Sequence, residues 1–315
     1  QDNIFCLKFH LFSTPTTSDL MINFQDFGID DNEKYLSYVK KCAEIPSDVS
    51  PIISLNLKKK YKVYRGYAEN LCWHKFTYNG ENFLHLPLGD WDNADWKKIF
   101  AENISHGTTF QFIPEYLLKI WQKIFGDEIE FESDRDYWDY ILDLEKIYKL
   151  EGGKLKSLRN MKNYFEKNFD YEVEEITPKI FEELLAFQIE AEENLKNRTD
   201  NKNFAEDDDK NFKFTLDNWN KFNLFGFVVR VDKKIVAYIL NEKIDEKNLI
   251  GLFAKHNYNY KGANQFAYWY DAKINLERGF LEQNIMDDVG EENLRFFKEH
   301  LQPKRMLKKY IVTYK

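Results

Sequence analysis

Residues 248–278 read NLIGLFAKHNYNYKGANQFAYWYDAKINLER, and the reading of this stretch decides the fold. Leu249, Ile250, Gly251, Leu252 and Phe253 make a short apolar run of the length a central strand needs. After Gly262, Ala263, Phe266, Ala267, Tyr270 and Ile274 recur at intervals of three and four, which puts them on one face of a helix. A strand that feeds a helix through a glycine turn leaves free N–H groups at the helix start. Those groups and the helix dipole suit an anion such as a phosphate. An ordinary crossover without a ligand has the same pattern, so the turn by itself leaves both readings open.

On either side of this stretch the pattern repeats. Tyr61–Ala68, Cys72–Tyr78 and Asn82–Leu86 read as strands, with Asn79-Gly80 as the turn between the last two. A helix over Ala94–Asn103, a strand over Thr108–Ile113, a helix from Pro114 to Phe125 and a strand at Ile129–Phe131 follow. In the second half, Phe225–Val231 and Ile235–Asn241 form a hairpin ahead of the central strand and its helix. A strand at Glu282–Met286, a helix over Glu291–Leu301 and a final strand at Leu307–Tyr314 complete it. Each half therefore runs hairpin, strand, helix, strand, helix, strand. The fold expected is α/β with mixed sheets in two tandem domains. The expected boundaries are a tag or extension over 1–20, one domain over 21–168 and another over 169–315. Met21 opens the regular pattern. Ser47–Pro51 and the acidic Asn197–Asp209 read as loops.

Composition excludes several classes. With 27 Phe, 19 Tyr and 7 Trp the chain has ample material for a core, so it is not disordered. A net charge of −8 argues against a nonspecific nucleic-acid coat but allows a local basic groove. Cys6, Cys42 and Cys72 lack metal-ligand spacing and fit a reducing, cytoplasmic compartment. The six histidines are scattered, and no metal site is expected. There is no GxxxxGK[ST], GxSxG, HExxH or strand-borne GxGxxG. Acyl transfer onto an amine needs none of these. It needs a held ester or thioester, a deprotonated amine and donors for the oxyanion.

Three stretches carry a family resemblance. They are Ser133-Asp134-Arg135-Asp136-Tyr137-Trp138-Asp139-Tyr140, the run from Leu150 through Gly152-Gly153 to Phe165, and Asp288-Val289-Gly290-Glu291-Glu292-Asn293-Leu294-Arg295 with Pro303 and Lys309-Tyr310. They resemble proteins grouped with the C-terminal domain of phosphatidylglycerol lysyltransferases. The resemblance covers most of the chain from Met21 on. It implies two tandem GNAT-like domains of the acyl-CoA N-acyltransferase type. It further implies an acyl or aminoacyl group moved from a CoA or tRNA donor to an amine, lipid or hydroxyl acceptor. The alternative is a catalytically degenerate pair that binds a nucleotide or RNA. Ile285 and Met286 stand where the family usually carries charges, and Ala254 replaces a usual Glu before Lys255.

The candidate site follows from strand ends that would face one crevice. Lys255, Asn257 and Gly262 close the central strand and its turn. Asn284, Asp287 and Asp288 close the next strand. Asp287 or Asp288 can bind an ammonium or take its proton, although Asp288 also suits a helix cap. Arg295 can reach a phosphate, and Tyr310 can act as a general acid. Lys156, Arg159 and Asn163 lie on the polar face of a helix over Lys154–Asn168. With the basic stretch from Arg295 to Lys315, Lys156, Arg159 and Lys167 form an expected phosphate-tracking strip for CoA or tRNA.

Overall fold

A computed structural model describes residues 22–58, 61–78, 80–196 and 205–315. The expected tag or extension over 1–20, Met21, Asn79 of the expected turn and the stretch 197–204 lie outside the described residues.

The elements in chain order begin with α1 (Asn32–Val39), α2 (Pro51–Leu57), β1 (Lys62–Ala68), β2 (Leu71–Tyr78) and β3 (Glu81–His85). Then come α3 (Trp96–Asn103), β4 (Thr109–Pro114), α4 (Glu115–Phe125), β5 (Ile129–Glu132), β6 (Asp139–Asp143) and α5 (Leu144–Lys149). The second half holds α6 (Lys156–Asn168), β7 (Tyr171–Glu175), α7 (Phe181–Lys196), α8 (Ala205–Asp217), β8 (Leu224–Val231) and β9 (Lys234–Lys243). It closes with β10 (Leu249–His256), α9 (Ala263–Glu277), β11 (Glu282–Asn284), α10 (Glu292–His300), β12 (Arg305–Leu307) and β13 (Lys309–Tyr314).

The strands form two mixed sheets, ordered β1-β2-β3-β4-β13-β5 and β12-β6-β11-β10-β9-β8-β7. The repeat read from the sequence is present. In each sheet an antiparallel hairpin leads to a strand whose next neighbour is parallel, β3 to β4 and β10 to β11. Both halves are GNAT-like in this order.

The chain divides into two compact units, and the division differs from the expected boundary at 168/169. The carboxy-terminal unit is Tyr140–Met306; the amino-terminal unit runs to Asp139 and takes back Leu307–Lys315. The reason is a reciprocal exchange of strands. β13, the last strand of the chain, lies between β4 and β5, and β6 lies between β11 and β12. β13 is held on both sides, Tyr310 against Ile113 and Val312 against Phe131. Two further expectations are corrected. Pro51 opens α2, with Ser50 capping through its hydroxyl to Ile53 N–H, so the expected loop ends in a helix. Residues 205–209 are the first turn of α8 rather than loop.

In the carboxy-terminal unit both sheet faces are covered, as a continuous apolar strand requires. On β9, Tyr238 and Leu240 pack under α7 and α8 with Val228 and Phe212. Ala237 and Ile239 pack on the other face with Phe227, Phe266 and Ala267 of α9. Of the face expected for this helix, Ala263, Phe266 and Ala267 are buried and Tyr270 and Ile274 pack partly buried against the same cluster, while Asp271, Ala272 and Asn275 beside it are buried as well. Each large apolar side chain so buried contributes about 1.5–3 kcal/mol, which fixes the register of β9 against slippage by one residue.

Candidate functional site

β10 ends in Ala254, Lys255 and His256, and its neighbour β11 leaves it early. The two are paired at Ile250 and Asn284. Beyond that pair the sheet opens, and Lys255 lies five residues, about 17 Å, further along the strand.

Lys255 is the centre of a buried polar cluster. Its ammonium contacts the Glu192 carboxylate and lies 2.9 Å from Asp208. Gln188, one turn before Glu192 on α7, accepts a 2.5 Å hydrogen bond from Tyr238 Oη and donates to Asp209 at 3.1 Å. Its amide also reaches Glu192 at 3.4 Å and Asp208 at 3.5 Å. Burial pushes Glu192 up to about 7, against the pull of Lys255. Burial acts on Asp208 in the same sense, but Lys255 and its hydrogen bonds hold it below the usual carboxylate range. Burial works against the Lys255 charge too, yet Asp208 and Glu192 outweigh it and raise its pKa. The cluster thus holds a charged lysine beside a carboxylate that takes and gives a proton near neutrality.

The sequence reading named Lys255 but missed Gln188, Glu192, Asp208 and Tyr238. A signal existed: Leu184, Phe187, Gln188, Ala191 and Glu192 share one face of α7, so two polar residues sit on an apolar stripe.

Asn284, Asp287 and Asp288 were expected to line the same pocket; the side chains of Asn284 and Asp288 are engaged elsewhere. Asp288 is fully buried. It accepts from Tyr140 Oη at 2.5 Å, from Arg295 Nη2 at 2.6 Å and Nε at 3.1 Å, and from the Gly290 N–H at 3.0 Å. Burial would raise its pKa, but Arg295, Tyr140 and Gly290 hold it below the usual range. A carboxylate with four donors is an anchor for the turn before α10, not a base. It also does not cap that helix through its side chain, since the residue before Glu292 is Glu291. Lys298 reinforces the turn by donating to the carbonyls of Ile285 at 2.6 Å and Asp287 at 2.5 Å. Asn284 Oδ1 accepts from Met286 N–H at 2.8 Å, where Met286 has φ of 64°. The apolar Ile285 is buried in the core with Tyr140 and Leu142, which is why charge is absent there.

Asn257 closes its own turn, its Oδ1 accepting from Asn259 N–H at 2.9 Å. Gly262 is not open to an anion. It has φ of 89°, and a Cβ placed on it would lie 2.1 Å from the Met161 carbonyl oxygen of α6. The helix start expected to cradle a phosphate is thus covered by protein backbone. The equivalent turn of the amino-terminal unit carries Asp90, Asp92 and Asp95, and Asp95 caps α3 by accepting from Lys98 N–H at 3.1 Å. That turn repels a phosphate.

Most cations of the expected basic strip have carboxylate partners. Lys304 and Arg305 pair with Glu282, Lys308 with Glu115, Lys309 with Asp48 and Asp139, and Lys315 with Glu130. Arg295 and Lys298 are held as described above. Arg159 closes the end of α5 by donating to the Leu150 carbonyl at 2.5 Å. Lys156 and Asn163 are exposed on α6. Tyr310 lies on β13 in the amino-terminal unit and donates to Glu115 at 3.2 Å. Among the described residues no group of His, Cys, Asp or Glu has a metal-holding arrangement, and no helix is long and apolar enough to cross a membrane.

Two sheets with a parallel pair in each define the fold; the sequence defines the family. Residues 51–313 match the family described as Phosphatidylglycerol lysyltransferase, C-terminal. The chain belongs to that family. Its structure is similar to a conserved protein of unknown function from Bacteroides thetaiotaomicron VPI-5482, with TM-score 0.83 and 23% identity over 94% of this chain and 100% of that one. It is similar to L-PGS from Bacillus licheniformis, with TM-score 0.60 and 17% identity over 90% and 91% of the two chains. FemX is a third, with TM-score 0.65 and 10% identity over 92% and 97%. At these identities the likeness is one of fold. Comparison with the curated proteins finds no match.

Proposed function

We propose that this family member transfers an aminoacyl group from an ester on tRNA to an amine or hydroxyl acceptor, with its chemistry at Lys255 and Glu192. The observation that carries the choice of donor is the state of the two strand-to-helix turns. A CoA donor needs a helix start open to its pyrophosphate. One turn is filled by the Met161 carbonyl and the other is lined by aspartates. An aminoacyl ester needs neither. Its ammonium suits the carboxylate-rich cluster of Glu192, Asp208 and Asp209, and the family name supports aminoacyl transfer.

In this reading the acceptor attacks the ester carbonyl directly. Glu192 takes the acceptor's proton, a role for which a carboxylate near 7 is suited at neutral pH. The Lys255 ammonium stabilises the oxyanion of the tetrahedral intermediate. The 3′-hydroxyl of the tRNA leaves with a proton returned from Glu192. A tRNA donor makes the reaction cytoplasmic. The acceptor is a lipid, an amine or another hydroxyl compound.

Titration with aminoacylated tRNA and with acetyl-CoA at low and moderate salt tests the donor. tRNA is expected to bind with a steep salt dependence, and acetyl-CoA is expected not to bind. Stoichiometric acetyl-CoA binding without tRNA binding overturns the reading. Glu192→Gln keeps the shape of the side chain. It is expected to lower turnover about 10²- to 10⁴-fold and to remove the rise of rate through pH 7 with donor affinity kept. tRNA binding with no turnover in the native protein, on any amine or hydroxyl acceptor, would instead identify an RNA-binding module.

A further inference from the structure

Two residues of the cluster around Lys255, Tyr238 and Gln188, take no part in the transfer chemistry above, yet they close the cluster into a ring. Tyr238 on β9 is paired directly with Lys255 on β10, so the two side chains stand next to each other on one face of the sheet. Facing them, Gln188 and Glu192 stand one turn apart on α7. The Tyr238 hydroxyl meets Gln188, and the Lys255 ammonium meets Glu192 and, from α8, Asp208. Tyr238, Gln188 and Glu192 are all buried, so each depends on the others for its hydrogen bonds.

The direction of those hydrogen bonds follows from donor and acceptor chemistry. An ionised carboxylate only accepts, and an amide donates only through its NH2. The Gln188 amide lies 3.1 Å from Asp209, 3.4 Å from Glu192 and 3.5 Å from Asp208, so the NH2 is the end that faces them. Its oxygen then needs a donor inside the protein, and the Tyr238 hydroxyl at 2.5 Å is that donor. Burial, with Asp208, Glu192 and Asp209 adding repulsion, holds the Tyr238 phenol well above its ordinary range, so it keeps the proton it donates. Turned over, Gln188 would set its oxygen against carboxylate oxygens, and the Tyr238 hydrogen bond opposes that turn.

Hydrogen bonds to the ionised form of a carboxylate favour that form. The amide therefore works with the Lys255 ammonium and against burial. Without it, burial holds a proton on Glu192 more firmly, and a carboxyl group already protonated at neutral pH takes no proton from an acceptor.

We propose that Tyr238 is a positioning residue for the transfer, acting through Gln188: it fixes the amide with its NH2 towards the carboxylates and so keeps Glu192 able to release its proton at neutral pH. The proposal rests on Glu192 as the base, and it adds a residue that acts on the base rather than on the substrate.

NMR of the full chain, labelled with carbon-13 at the glutamate side-chain carboxyl groups, tests it, with the Glu192 signal assigned from Glu192→Gln. In the native protein the Glu192 midpoint is expected at about 7. Tyr238→Phe keeps the ring and removes the donor, and it is expected to raise the midpoint by about half a pH unit. Gln188→Met keeps the length of the side chain and removes the amide, and it is expected to raise the midpoint by about one pH unit. Because Tyr238 acts through Gln188, the double variant is expected to match Gln188→Met alone. In both single variants kcat is expected to fall at neutral pH and to recover as the pH is raised, with KM unchanged. A loss of packing alone would lower turnover at every pH and leave the midpoint in place. Unmoved midpoints in both single variants, or additive shifts in the double one, overturn the proposal and leave Glu192 as the base. Native turnover in Glu192→Gln removes the base itself, and with it the role of Tyr238, whatever the midpoints show.

Discussion

Gly262→Ala is expected to destabilise the carboxy-terminal unit by about 2–5 kcal/mol. Two costs combine. An alanine at φ of 89° is strained by about 1–2 kcal/mol, whatever surrounds it. The added Cβ would also stand 2.1 Å from the Met161 carbonyl oxygen and 3.1 Å from Phe165 Cβ. A backbone oxygen cannot rotate away as a side-chain tip can. α6 must therefore lift off the start of α9, loosening the packing of Phe165 on Phe266, whose rings lie 5.1 Å apart. Overpacking of this kind adds about 1–3 kcal/mol. Thermal unfolding monitored by calorimetry should show a melting temperature lower by roughly 10 °C, given about 2–4 °C per kcal/mol for a unit of this size. The same substitution separates two readings of the glycine. A phosphate cradle predicts lost ligand binding with stability nearly intact. Helix-on-helix contact predicts the reverse, and an unchanged melting temperature would sink it.

Gly262 also shows what a sequence can and cannot disclose. That something approaches the turn closely was legible, because glycine ahead of a regular amphipathic helix is the sign of it. What approaches is a helix a hundred residues earlier in the chain, and no local pattern names it. The order of elements was legible for the same local reason. Apolar alternation, the Pro114 start and the Gly126 stop mark strands and helices one at a time, and the repeated order identifies two like halves. The exchange of β6 and β13 was not legible. An apolar run such as Tyr140-Ile141-Leu142 shows that it is a strand without showing which sheet receives it.

The same limit explains the candidate site. Lys255 was legible because it ends the central strand. Its partners lie on α7 and α8, more than forty residues earlier in the chain, and pairings of that range leave no spacing rule. Asp288 and the C-terminal lysines failed in the opposite sense. A charge in a sequence looks available until its partner is known. Lys309 meets Asp48 and Asp139 across most of the chain, and Asp288 meets Tyr140 and Arg295 together. Chemistry-bearing residues were thus found by type, while their availability was decided by tertiary contacts.

Acidification is expected to unfold the amino-terminal unit before the carboxy-terminal one. The reason is a pair of buried histidines. His85 lies among Phe76 and Phe112, with ring centroids 5.2 Å from each, and neither ring nitrogen has a hydrogen-bond partner among the described residues. Burial, with Lys309 adding repulsion, lowers its pKa to about 3 from an ordinary 6.5. His74 is buried beside it and accepts a 2.9 Å hydrogen bond from Arg65 Nε, which only a neutral ring can do. Burial, Arg65 and His85 all lower its pKa as well. Between pH 6.5 and the folded-state pKa the unfolded chain binds protons that the folded chain does not. Stability from these groups is therefore complete above pH 6.5 and is lost as pH falls towards 3. At pH 5 the loss is about 2 kcal/mol for His85, with His74 acting in the same direction. The carboxy-terminal unit has the opposite sign. Burial raises Asp271 to about 6 against hydrogen bonds from Asn241 and Gln283, and burial raises Glu192 to about 7. In that unit the folded state binds the extra protons, so falling pH relieves a cost. Hydrogen exchange followed from pH 7 to pH 5 should show protection lost first in β1, β2 and β3. His85→Leu removes the buried imidazole and its two unsatisfied nitrogens. It should leave stability at pH 7 equal or higher, by about 1–3 kcal/mol, and make the acid slope shallower by up to one proton. If β8, β9 and β10 lose protection first, or the slope of the leucine variant is unchanged, the histidines do not control the acid response.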